Sequence, residues 1–108
     1  MRDYRLYLKD ILSAMEAIEK FTQGMDFEDF KENDMVCSAV IRKFEIIGEA
    51  SKNLPEEIKQ KYPEIPWKSM AGMRDRLIHF YFGVKYELVW ETIKREIPKI
   101  MIILKIHC

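Results

Sequence analysis

Apolar side chains recur at every third or fourth position along nearly the whole chain, a spacing that leaves little room for anything but helices. In the first segment Tyr4, Leu8, Ile11, Met15, Ile18 and Phe21 follow it, with Lys, Asp and Glu between them. At about 3.6 residues per turn these positions form one face, so an amphipathic helix is expected from about residue 2 to 22. Gln23-Gly24 ends it, and Asp26 followed by Asp29 reads as the cap of a short helix through Phe30. Asn33 and Asp34 then cap a longer helix to about Asn53. Its apolar positions Val36, Val40, Phe44, Ile47 and Leu54 keep the period, and Cys37, Ile41, Ile46 and Ala50 widen the stripe. A helix apolar on most sides is expected at the centre of its bundle. Its one polar stripe, Arg42, Glu45, Glu49 and Lys52, is spaced three or four apart. That stripe is either a solvated salt-bridge face or the lining of a cleft.

Pro55-Glu-Glu reads as the first turn of a short helix, since Pro suits that position and carboxylates suit the positive end. Tyr62-Pro63-Glu64-Ile65-Pro66 is expected to be an irregular connection. Trp67 to about Phe82 forms the next helix, stopped by Gly83. The last runs from about Lys85 to Ile106, with Leu88, Val89, Trp90, Ile93, Ile97 and Ile100 inward, and Pro98 is expected to kink or break it. No segment alternates with period two, and no Asn-Gly hairpin dipeptide occurs. The expected fold is an all-α antiparallel bundle of about four to five helices. Its 108 residues suffice for a single domain, 1–108, with a core of its own.

Charge narrows the function classes. Lys+Arg and Asp+Glu are 18 each, so the formal charge is zero, which argues against holding nucleic acid or membrane by bulk electrostatics. Cys37 and Cys108 are far apart and lack the neighbours that a zinc site needs, so reduced thiols in a cytoplasmic setting are the simplest expectation. Charges scattered through the first ten residues fit neither a signal peptide nor a membrane span, and the apolar run Ile100 to Leu104 is too short to cross a bilayer.

Phosphate-binding Gly-rich loops, nucleophile elbows, zinc-protease helices and calcium loops are all missing from the sequence. Of the two histidines, His107 is penultimate and expected to fray. His79 instead lies in Gly72-Met73-Arg74-Asp75-Arg76-Leu77-Ile78-His79-Phe80-Tyr81-Phe82-Gly83, where polar groups sit among aromatics. Asp75 and His79, four apart, share a helix face, so the carboxylate can accept from the imidazole N–H, fix its tautomer and favour its protonated form. Arg74 and Tyr81 share a neighbouring face. Arg74 and His79 are about 140° apart on one helix, so they converge only through the long Arg side chain, a helix distortion or a second subunit. A histidine near neutrality and a forked guanidinium suit transfer at phosphorus, because attack by an RNA 2′-hydroxyl on its own phosphate needs proton transfer and charge stabilisation, and no metal. The plainer alternative is a satisfied structural histidine.

Arg74-Asp75-Arg76-Leu77-Ile78-His79-Phe80-Tyr81 resembles the R-x-x-x-x-H-x-Y motif of the HEPN superfamily, in particular its HepT-like branch. The likeness extends to Ala39–Ala50, which is similar to that branch's central helix, to Pro66-Trp67 before the motif, and to Tyr81-Phe82-Gly83-Val84 and Leu88-Val89-Trp90 after it. It covers about residues 36 to 95. The resemblance implies a small helical ribonuclease toxin, with Arg74 and His79 as the catalytic pair and Asp75 in support. It further implies a homodimer or higher oligomer in which two motif helices meet at one composite cleft. The implied partners are an RNA substrate and a nucleotidyltransferase antitoxin of the MntA type, which attaches AMP to Tyr81; no cofactor or metal is implied. Many relatives carry Asn where Asp75 stands, which brings an extra negative charge close to the RNA phosphate. Tyr81 could equally be an amphipathic edge residue of the bundle. Glu45 and Glu49 have no catalytic assignment; a salt bridge to Arg74 and a solvated face are the two options. A reading from another class is a non-catalytic helical module that uses the motif for dimer packing or partner docking, and a third is nucleotide binding in the same cleft without cleavage.

Overall fold

Local capping chemistry starts each of the first three helices. In the computed structural model, which describes residues 3–72 and 85–107, helix α1 spans Tyr4–Phe21, and the Asp3 carboxylate accepts from the Arg5 backbone N–H at its start. Gly24, at φ 76°, turns the chain in the left-handed region that glycine adopts without steric cost. Helix α2, Phe27–Glu32, opens on a reciprocal capping box: Asp26 accepts from the Asp29 N–H at 2.8 Å, and Asp29 accepts from the Asp26 N–H at 3.2 Å. Asn33 ends α2 and caps α3, Asp34–Asn53, by accepting from the Val36 N–H. These boundaries lie within two residues of the sequence expectation. Helix α4, Glu56–Lys61, takes Pro55 as its N-cap and not inside its first turn. The irregular 62–66 link leads into α5, Trp67–Ala71.

After residue 85 the chain is helical to His107, in three stretches: α6 Tyr86–Glu91, a π-helical turn Thr92–Glu96, and α7 Ile97–His107. Of the two outcomes expected of Pro98, a kink or a break, the break does not occur. Its ring would crowd the carbonyl four residues back, at Lys94, and it offers that carbonyl no N–H. The widened turn falls on this stretch, with the Ile97 N–H reaching the Thr92 carbonyl five residues back. His107, expected to fray, still has helical backbone.

The described part is all-α, with six helical rods when the last is counted once, of which α2, α4 and the described part of α5 are short. Helix α3 is the centre, packing along α1 and touching α5 and α2, while the last rod packs on α1 and α2. Ile11, Ile18, Val40 and Ile47 are completely excluded from solvent, and Phe44 nearly so. Burial of each such side chain is worth about 1.5–3 kcal/mol relative to exposure. Two hydroxyls enter this core with their hydrogen bonds made: Thr22 donates to the Ile18 carbonyl at 2.9 Å and Ser51 to the Ile47 carbonyl at 2.7 Å. Cys37 is buried, as its apolar surroundings suggest, and donates to the Phe30 carbonyl; burial pushes its thiol pKa up, with Asp34 adding to the effect.

The first turn of the last rod is pinned to α2. The Trp90 ring packs against Phe30 at 5.1 Å and Phe27 at 6.4 Å between centroids, and the Lys94 ammonium lies 4.7 Å over the Trp90 ring. Helix α7 is apolar around much of its circumference, so Ile102 and Ile106 remain 62% and 72% exposed while Ile100, Met101 and Leu104 are buried. None of the described helices is long and apolar enough to cross a membrane.

Candidate functional site

The approach to the motif is built from the residues that precede it. Pro66 has no N–H to give, and the helix that follows starts at Trp67. The Trp67 indole N–H donates to the Lys59 carbonyl at 3.0 Å and to the Tyr62 carbonyl at 3.1 Å. Helix C-termini leave carbonyls without an intrahelical donor. One side chain thus closes α4 and fixes the start of α5. Trp67 and Met70 are both buried, and α5 packs on the central helix α3. The Gly72 N–H still reaches the Lys68 carbonyl in helical fashion.

Arg74, Asp75, His79 and Tyr81 lie outside the described residues, as do Met73, Arg76, Phe80, Phe82 and Gly83. What is described is the pair of shoulders between which they are strung. Before them stand Trp67 and Met70; after them stand Val89, buried, and Trp90, fastened to α2. Both shoulders are anchored in the common core. No signal short of the Pro-Trp pair itself points in the sequence to the double hydrogen bond of Trp67.

The polar stripe on α3 is resolved in part. Arg42 and Glu45 form an ion pair at 3.6 Å within the helix, with Arg42 exposed and Glu45 half-buried. At this end the stripe is a salt-bridge face. Glu49 and Lys52, further along, are exposed, and the Glu49 carbonyl accepts from the Asn53 side chain at 3.0 Å. Among the described residues no group of three or more His, Cys, Asp or Glu is placed to hold a metal ion.

Comparison with known proteins places these features in a lineage. The sequence model of the family described as "Ribonuclease HepT-like" matches residues 11–106, which includes both shoulders and the whole motif. A protein of Methanocaldococcus jannaschii named "Putative RNase" is 57% identical over 99 residues, covering 92% of this chain and 85% of the relative. One of Thermococcus cleftensis, named "Probable ribonuclease HepT", is 52% identical over 99 residues, covering 92% of this chain and 90% of its own. A third, of Caldanaerobacter subterraneus and again named "Putative RNase", is 49% identical over 100 residues, 93% of this chain and 89% of the relative. No solved structure matches the chain.

Proposed function

Because this chain belongs to the HepT-like ribonuclease family, we propose that it is a metal-independent endoribonuclease whose reaction is carried by Arg74 and His79. The observation that carries the reading is the family match over 11–106, a range that includes Arg74-Asp75-Arg76-Leu77-Ile78-His79-Phe80-Tyr81. In this mechanism the RNA 2′-oxygen attacks its adjacent phosphorus and the bond from phosphorus to the 5′-oxygen breaks. One imidazole takes the 2′-hydroxyl proton, and the departing 5′-oxygen is protonated by a second. The products are a 2′,3′-cyclic phosphate and a 5′-hydroxyl. Arg74 stabilises the charge of the pentacoordinate phosphorus through paired N–H donors. Two imidazoles and the wide angular separation of Arg74 from His79 are both met by a homodimer in which two motif segments share one cleft. Asp75 orients His79 by accepting from its N–H.

Tyr81 is the control point in this reading. A nucleotidyltransferase antitoxin joins the tyrosine oxygen to the α-phosphorus of ATP, pyrophosphate leaves, and the bound AMP places charge and bulk beside the catalytic pair. The protein then acts as the toxin of a two-component system in the cytoplasm, with tRNA as a candidate substrate. Its zero formal charge favours the competing reading, a non-catalytic interaction module, since RNA binding normally draws on positive surface. The deciding experiment is cleavage of total tRNA in excess EDTA by the parent and by His79→Ala and Arg74→Ala proteins of verified fold. Cyclic-phosphate ends from the parent alone support the enzyme. Absence of cleavage together with an unmodified Tyr81 peptide, read by mass, supports the module.

A further inference from the structure

Beside the anchor of α5 lies a groove of about 470 Å³, lined by Asp3, Tyr4, Arg5, Leu6, Leu8, Lys9 and Tyr62. It joins two distant parts of the chain, the first two turns of α1 and the residue that ends α4. Its size falls within the range of small-molecule sites, which run to about 300–1,000 Å³ and combine apolar walls with a few polar groups. Tyr4 and Tyr62 are half-buried and pack against the core. Leu8 is buried at the floor and Leu6 is 42% exposed at the rim.

The charges of the groove are unequal in kind. Arg5 is committed to Asp3, with its Nη2 donating at 2.7 Å and its Nε shared between both carboxylate oxygens at 3.2 Å. That ion pair keeps Asp3 a carboxylate, its pKa lowered to about 2 by the Arg5 hydrogen bonds. Lys9, one turn further along α1, is exposed and makes no ion pair among the described residues. The groove thus offers two aromatic rings, an apolar floor and one uncompensated cation. A second cavity, lined by Met25, Asp29, Glu32, Asn33 and Asp34, carries three carboxylates and no cation, and repels a polyanion.

We propose that the groove between α1 and Tyr62 is an auxiliary nucleotide-binding subsite, which takes a base against Tyr4 and Tyr62 and a phosphate at Lys9. Aromatic rings stack on any base, and a lysine on a phosphate adds the salt-dependent part of the affinity. The groove adjoins the start of α5, because Tyr62 lines it and its carbonyl accepts from the Trp67 indole. As a holding site for RNA outside the catalytic pair, this inference rests on the ribonuclease reading.

The test measures binding apart from cleavage. The probe is a fluorescein-labelled, 2′-O-methylated oligouridylate, which has no 2′-hydroxyl to attack with, titrated against the full chain by anisotropy at several salt concentrations. Tyr4→Leu keeps an apolar side chain and removes the ring; the expected loss of affinity is about tenfold. Lys9→Gln is expected to weaken binding and to lower the slope of log affinity against log salt by about 0.7. Unchanged thermal melting of both variants separates loss of the site from loss of the fold. Release of the probe by uridine monophosphate identifies a single free nucleotide as a sufficient occupant, and release by an oligomer alone identifies a strand; both support the subsite. Parent-like affinity and salt slope in both variants overturn it. Cleavage of unmodified RNA by the parent, followed separately, keeps the two readings apart: a parent that cuts RNA while both variants bind like it loses the groove only, and a parent that binds through the groove yet cuts nothing loses the ribonuclease only.

Discussion

Trp67 shows how much a single polar atom can organise. Its indole N–H is the donor for two carbonyls at the end of α4, and the ring is buried against the core that also receives Met70. Trp67→Phe retains most of the buried ring and removes only that donor. Loss of stability by about 1–2 kcal/mol is expected, read from urea unfolding; a midpoint equal to the parent's would mean that water replaces the indole without cost. Asp3 makes a subtler contribution, because its folded pKa of about 2 lies below the ordinary value of 3.8. A carboxylate depressed in this way contributes its stability above its unfolded pKa and loses it as pH falls toward the folded one. The Asp3→Asn protein is therefore expected to be less stable than the parent above about pH 4, and the two should converge as pH falls toward 2. The group is exposed, so the difference is small and shrinks with added salt.

At the scale of elements, what could be read in advance was whatever local chemistry decides. Asp26 and Asp29, Asn33, and Gly24 at φ 76° announce a cap, a cap and a turn, and the chain builds each of them there. The π turn was not legible, because Pro98 signals only that an α-helix cannot continue normally. Whether the chain breaks, bends or widens depends on what the two halves pack against. Here Trp90 holds one half to α2, and the other half packs on α1. Replacing Pro98 by Ala restores an N–H for the Lys94 carbonyl and removes the ring clash. Offset by the greater freedom of the unfolded chain, a net gain of about 1–2 kcal/mol is expected in thermal unfolding. A destabilised Pro98→Ala protein would show that the widened turn is held by its packing, independently of the proline. The candidate site divides along the same line: Arg74, His79 and Tyr81 stand out by type and spacing, whereas whether such groups meet at one site depends on long-range placement that local pattern does not encode. The polar stripe of α3 lies on the legible side, since an i,i+3 pair such as Arg42 and Glu45, found at 3.6 Å, follows from helical spacing alone.

Across the whole molecule, the central helix exposes Met35 at its first turn, and the last helix leaves one side uncovered. Ile102 and Ile106 are 62% and 72% exposed there, on a protein whose formal charge is zero and whose isoelectric point is near 6.7. Repulsion between copies is weakest at that pH, just where an apolar patch needs it most to keep molecules apart. Solubility is accordingly expected to pass through a minimum near pH 6.7 and to be lifted there by Ile106→Lys, as measured by the saturation concentration and by light scattering. A saturation concentration indifferent to both pH and the substitution would rule this out. The uncovered side of α7 thus bears on crowding: near neutral pH, where net charge does least to keep copies apart, two exposed isoleucines one turn apart offer them a place to stick.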